Sequence, residues 1–334
     1  MTKPVILNAL TGILGTHLSE KFRKKYEIRS NPYKGNMTRD QLIKEIKDVD
    51  AVIAGGERYT KEIFVAAKNL KIIARYGVGY DMVDMAEATK FGIFVTNQPG
   101  LNSETVAEHT VALIFALARG LVDAVRSTKP KTWSKIALKY VSDKNTFELH
   151  GKTLGIIGLG SIGSKVAKIC SGLDMKIIAY DPYVKEEKMK QLGVEMVGFE
   201  ELLKTSDIVT IHTFLNDETK HMIGEKQLKK MKKNAILINA ARGPIIDELA
   251  LYKALKEKWI AAAGLDVLEK EPPEDDNPLF TLDNVIITPH IASSSIDNFI
   301  RSDVLTEEQI EQALNGKIPK FTLNPDAIKN RRNR

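Results

Sequence analysis

Short runs of aliphatic residues recur along the chain, and between them apolar positions fall every three or four residues. The runs predict strands at residues 5–7, 51–54, 71–74, 93–96, 153–157, 176–180, 208–212, 235–239, 261–266 and 285–287. The wider spacing predicts helices at 39–46, 61–68, 164–172, 200–204, 247–258 and 295–312. Strands that alternate with helices make parallel sheets covered on both faces. The expected fold class is α/β, with two Rossmann-like, doubly wound parallel-sheet domains and a cleft between them. Residues 103–119 stand apart, because the segment is apolar on nearly every side from Val106 to Leu117. Such a helix must be buried all round. One face can cover its own sheet and the other needs a second partner, so a homodimer through this region is expected.

The run at 153–157 leads into Gly158-Leu159-Gly160-Ser161-Ile162-Gly163. Gly158 and Gly160 permit a tight turn and a close approach of backbone to a pyrophosphate, and Gly163 lets the next helix pack on the sheet. The helix that begins near Ser161 turns its N–H groups and positive dipole end toward the phosphates. Asp181 closes the following strand, where a carboxylate accepts hydrogen bonds from ribose hydroxyls. Strand, helix and acid together predict a dinucleotide site. Asp181 repels a 2′-phosphate, and Pro182, Tyr183 and Val184 offer no arginine in exchange, so NAD is favoured over NADP. The mid-chain position of this fingerprint predicts a nucleotide-binding domain at 102–291 that carries the dimerisation helix. Residues 1–101 and 292–334 would together form a discontinuous substrate domain.

Composition narrows the class. A chain of 334 residues suits two domains. Hydrophobic residues make up 43% and charged residues 28%, ordinary for a globular protein. The single cysteine, Cys170, excludes an internal disulfide framework and fits a reducing compartment. The run at 5–7 is too short for a signal core, and the apolar run at 111–118 falls well short of the ~20 residues that span a bilayer. A cytoplasmic protein without a membrane partner is expected. Much of the net charge of +6 comes from the tail at 329–334. A solvated, disordered end is expected there rather than a nucleic-acid surface.

Three chemically useful residues follow predicted strands: Arg242, Glu271 and His290. In a parallel sheet all three emerge at the carboxyl edge, beside a bound nicotinamide. A guanidinium binds a substrate carboxylate and polarises its carbonyl. A histidine supplies or removes a proton as hydride is exchanged. A carboxylate beside that histidine fixes its tautomer and raises its pKa. Among the other five histidines, His109 is expected in the core, His17, His150 and His221 on the surface, and His212 in a structural place near the cofactor. No pair has metal-ligand spacing, so no metal is expected.

Taken together these motifs resemble the D-isomer-specific 2-hydroxyacid dehydrogenase family. The resemblance rests on Tyr76-Gly77-Val78-Gly79-Tyr80-Asp81, Asn97-Gln98-Pro99-Gly100, Asn239-Ala240-Ala241-Arg242-Gly243, Glu271-Pro272 and Thr288-Pro289-His290. It implies a small-molecule partner: a D-2-hydroxy acid and its 2-keto acid, such as glyoxylate, hydroxypyruvate or phosphoglycerate. By the same resemblance Arg242 binds the substrate carboxylate and carbonyl with the backbone of Val78 and Gly79, Glu271 supports His290, and His290 is the acid/base. Ser161 and Ile162 meet the pyrophosphate, and Asp181 the ribose. Asp266 takes the nicotinamide carboxamide, and Thr213, Ala240 and Ala241 line the cofactor. The apolar helix resembles the dimer element, with Trp133 just beyond it reaching toward the partner's cleft. The sequence departs at Phe214, where the family places proline, and at Ala292, where it places glycine. The loop Gly55-Gly56-Glu57-Arg58-Tyr59 faces the expected substrate region without a phosphate-binding cluster. An NAD(H)-sensing co-repressor of this fold and a phosphite dehydrogenase stay open as alternatives.

Overall fold

The computed structural model describes residues 3–12, 14–142 and 146–331, and divides the chain into two compact units. One unit holds residues 1–102 and 294–334; the other holds 103–293.

The first unit is built on a five-stranded parallel sheet. Its strands are β1 (Val5–Asn8), β2 (Glu27–Ser30), β3 (Ala51–Ala54), β4 (Ile72–Arg75) and β5 (Phe94–Thr96), in the order β2-β1-β3-β4-β5. Alternate residues of each strand point to opposite faces. Leu7, Val52, Ile73 and Val95 therefore enter one core, and Ile6, Ile53, Ile72 and Phe94 the other. The helix Ile296–Leu314 closes the second core with Ile310 and Ala313. Its inward face is also polar: Gln98 Nε2 donates to Ser302 O and Thr306 Oγ1 at 2.9 Å, and Thr96 Oγ1 donates to Gln309 Oε1 at 3.0 Å. Buried polar groups must be paired, so these bonds fix one docking position for the returning helix.

The second unit has a seven-stranded parallel sheet. Its strands are β6 (Thr153–Ile157), β7 (Lys176–Tyr180), β8 (Glu195–Met196), β9 (Ile208–Ile211), β10 (Ile236–Asn239), β11 (Ala262–Leu265) and β12 (Val285–Ile287). The order is β12-β11-β10-β9-β6-β7-β8, so the winding reverses at β6. Ile156, Ile236 and Ile238 face the helix Ser103–Ala118, while Leu237 and Val209 face Leu251 and Leu255 of the helix Glu248–Lys256. The two parallel sheets agree with the expected α/β class.

Several local expectations need correction. β2 and β8 are edge strands with charged, half-exposed residues, which hides them from an apolar-run reading. The fingerprint helix starts at Ser161, as its turn predicts, one helical turn before the apolar spacing at 164–172. The long apolar helix leaves Phe115 38% exposed within one chain, which agrees with the expectation that its own sheet covers one face. The basic tail is docked as far as Arg331, whose guanidinium lies 5.6 Å from the Phe94 ring centroid. The remainder of that tail, 332–334, lies outside the described residues. Among the described residues no single helix is long and apolar enough to cross a membrane, and no group of three or more His, Cys, Asp or Glu side chains could hold a metal.

Candidate active site

The turn after β6 sits where the winding reverses, the usual crevice for a ligand in an open parallel sheet. Gly158 has φ +92°, and a Cβ there would lie 2.8 Å from His212 O and Thr213 N. That close approach seats Thr213 against the fingerprint turn. A Cβ on Gly163 would lie 2.2 Å from Gly158 O, so the helix Ser161–Ser171 rests directly on the turn. A Cβ on Gly160 would meet open space, and that residue is the helix N-cap with no side-chain cap. The N–H groups of Ser161 and Ile162 open toward this gap at the positive end of the helix, which suits a pyrophosphate. Asp181 Oδ2 accepts from Leu159 N at 2.8 Å and Oδ1 from Tyr183 N at 2.9 Å. The acid is thereby fixed beside the turn with lone pairs left for a ribose. Phe214, the departure from proline, stacks on Tyr183 at 6.2 Å between centroids. Burial pushes His212 down to about 3, which keeps its ring neutral.

Three loops at the carboxyl edge carry the polar chemistry. After β10, Asn239 Oδ1 accepts from Ala241 N at 3.0 Å and Asn239 Nδ2 donates to Arg242 O at 2.9 Å, which shapes the Ala240–Ala241 turn. After β11, Glu271 Oε1 accepts from Leu268 N at 3.0 Å. After β12, His290 Nδ1 lies 2.6 Å from Glu271 Oε2. The Glu271 hydrogen bond raises His290 above its ordinary value, while burial and the Arg242 charge oppose the shift. Burial works against the Glu271 charge, but the His290 bond and charge outweigh it and hold the carboxyl below its ordinary range. Structure thus brings Arg242, Glu271 and His290 to one edge. A pocket of about 480 Å³ lies against the pair, lined by Arg126, Leu268, Pro272, Leu279, Phe280 and Ile287 among others.

His290 has φ +54°, a left-handed conformation that a residue with a Cβ adopts only when its surroundings impose it. Asp266 imposes it. Its carbonyl accepts His290 N at 2.8 Å. Its carboxylate accepts the Thr288 hydroxyl at 2.6 Å, Ile291 N at 2.9 Å and Ala292 N at 2.8 Å. His109 Nε2 lies 3.1 Å from Thr288 Oγ1, so this histidine joins the site's support instead of lying in the core. The sequence offers one signal, a polar ring within a largely apolar helix, and does not show the strand end it faces.

Val78 and Gly79 belong to the first unit. Val78 O accepts from Asn97 Nδ2 and Gly79 O from Arg75 Nε, both at 2.9 Å, while Arg75 Nη1 also donates to Ala54 O. Arg75 thus ties the loop after β3 to the loop after β4. In the former loop Glu57 turns inward, is 2% exposed, and is pushed up by burial. Trp133 opens the helix Trp133–Ser142 and is 75% exposed.

The family model for the D-isomer specific 2-hydroxyacid dehydrogenase NAD-binding domain matches residues 111–292. A glyoxylate reductase of Korarchaeum cryptofilum is 45% identical over 289 residues, covering 86% of each chain. A D-3-phosphoglycerate dehydrogenase of Archaeoglobus fulgidus is 44% identical over 296 residues, which is 88% of this chain but 55% of that longer protein. Among solved structures, the apo D-mandelate dehydrogenase of Rhodotorula graminis is similar with a TM-score of 0.82 and 28% identity, over 96% of this chain and 98% of that one.

Proposed function

The chain belongs to the D-isomer-specific 2-hydroxyacid dehydrogenase family, and from that premise we propose that Arg242, Glu271 and His290 interconvert a D-2-hydroxy acid and its 2-keto acid. The protein is an NAD-dependent oxidoreductase of that family. NADH, when bound, would supply a hydride for the keto carbon. Arg242 pairs with the substrate carboxylate and draws electron density toward the carbonyl oxygen. His290 gives that oxygen a proton from Nε2, because Nδ1 is engaged by Glu271. In the oxidative direction neutral His290 takes the proton back. The observation that carries this reading is the 2.6 Å His290–Glu271 contact at the end of β12.

The same reading makes 102–291 the NAD-binding domain and 1–101 with 292–334 the substrate domain, with the backbone of Val78 and Gly79 receiving the carboxylate. Gly158, Gly160, Ser161, Ile162 and Gly163 cradle the pyrophosphate, Asp181 the ribose, and Thr213, Ala240 and Ala241 the cofactor wall. Asp266 acts first by holding the His290 loop. Of its four carboxylate lone pairs, the bonds to Thr288, Ile291 and Ala292 leave one for a carboxamide. A homodimer through the helix Ser103–Ala118 and the following segment is supported by exposed Phe115, Leu121, Val125, Trp133 and Leu138. The cytoplasm is the proposed location.

The test is NADH oxidation, followed by absorbance, against glyoxylate, hydroxypyruvate, pyruvate, phosphohydroxypyruvate and bulkier 2-keto acids. Turnover on one of them supports the reading and names the substrate group. Bound NADH without turnover on any, together with phosphite-dependent reduction of NAD, replaces it.

A further inference from the structure

Outside the site lies a second histidine–carboxylate cluster that the proposed chemistry does not use. His221 Nε2 is 2.7 Å from Glu269 Oε1. Glu269 Oε2 accepts from Glu248 N at 3.2 Å, and Glu248 Oε2 accepts from Glu269 N at 2.8 Å. Glu248 Oε1 accepts from Asn277 Nδ2 at 2.7 Å. All four carboxylate oxygens are therefore engaged, and the two acids grip each other's backbone reciprocally.

What these residues join matters more than the bonds themselves. His221 lies in the turn after β9, in the loop that carries Thr213; it has φ +53° and donates its N–H to Pro244 O at 2.8 Å. Pro244 follows Arg242 in the loop after β10, and Glu248 opens the helix Glu248–Lys256 that this loop leads into. Glu269 lies two residues before Glu271, in the loop after β11. A Cβ on Gly243 would lie 1.9 Å from Leu268 O, so the backbone beside Arg242 touches the residue whose N–H Glu271 holds. We infer that His221, Glu248 and Glu269 are positioning residues, a clamp that fixes the loops of Thr213, Arg242 and Glu271 relative to one another. This rests on the dehydrogenase reading of the site.

The side chains of His221 and Glu269 are 41% and 36% exposed. Ion pairs that open to water add little stability. A misplacement of about 1 Å at reacting groups, by contrast, costs up to ~100-fold in rate. A clamp should therefore show in the chemistry while the melting temperature barely moves, and a simple helix cap should show the reverse.

The experiment compares full-length wild type with His221→Ala, His221→Gln and Glu269→Ala. For each, kcat and KM are measured for the best 2-keto acid and NADH. The titration of His290 is followed by NMR on the histidine-labelled protein, and the thermal melt is recorded. His221→Ala and Glu269→Ala are expected to lower kcat by ~10–100-fold with KM for NADH unchanged. His290 should titrate closer to an ordinary histidine, because Glu271 no longer meets it squarely. His221→Gln, whose amide nitrogen stands where Nε2 stood, should restore both. Wild-type kcat and His290 titration in His221→Ala overturn the clamp, as does a loss explained wholly by a lower melt. If wild type reduces no 2-keto acid, the His290 titration still decides: a shift in His221→Ala keeps the clamp and removes the dehydrogenase reading, and no shift removes the clamp.

Discussion

His290 Nδ1 meets Glu271 Oε2 at 2.6 Å, and this contact decides which ring nitrogen is left for a substrate. With Nδ1 committed to the carboxylate, Nε2 is the ring nitrogen left open, and the ring cannot flip without leaving Glu271 Oε2 unpaired. Replacing His290 with asparagine should cut turnover by ~10²–10⁴-fold and leave NADH binding intact. Steady-state kinetics beside NADH fluorescence titration checks both halves.

On the proposed mechanism His290 donates the proton, so the rate of reduction should fall as pH rises through the raised His290 value. In Glu271→Gln the raising partner is gone, and the falling limb should move to lower pH. Stability follows the same signs. His290 stabilises the fold below its ordinary value and loses that contribution as pH climbs through the raised one. Glu271 stabilises above its ordinary value and loses that contribution as pH drops through the lowered one. A pH–rate profile with the same limb in wild type and Glu271→Gln would count against the pairing.

Asp181→Ala removes the acid fixed beside the fingerprint turn. NAD affinity should weaken by ~10–100-fold, the worth of hydrogen bonds to a charged acceptor. Discrimination against NADP should relax, since the charge that repels a 2′-phosphate is gone. Calorimetric titration with both cofactors measures the ratio, and an unaltered NAD affinity would contradict the assignment.

Asp266→Ala leaves the Ile291 and Ala292 amides without their acceptor. Each unpaired buried group costs about 1–3 kcal/mol, so the melting temperature should fall by several degrees. Turnover should fall as well, because the residue 266 carbonyl is then left to hold His290 in its left-handed conformation without the carboxylate's bonds to the flanking residues. A variant that melts early yet turns over normally would show that Asp266 serves the fold alone.

The strands that deliver Arg242, Glu271 and His290 were legible because each is a buried or half-buried apolar run that stops at a polar residue. The fingerprint was legible because its glycines answer to backbone contacts, as the Gly163–Gly158 approach illustrates. β2 was hidden because Glu27 and Arg29 sit on a half-exposed edge and read as surface. His109 was misread for a different reason: helical periodicity gives the face a residue occupies, and says nothing of the Thr288 hydroxyl that waits across it. The clamp could not be read at all. His221, Glu248 and Glu269 are separated by long stretches of sequence, and only the parallel sheet, by stacking loop beside loop, makes them neighbours.

The contact between Gly163 and Gly158 O also bears on the entropy of binding. A helix seated on its own leading turn leaves that turn few alternative shapes. The backbone proposed to bind the pyrophosphate is thus ordered during folding, once, and each arriving cofactor would meet a surface whose conformational freedom has already been given up.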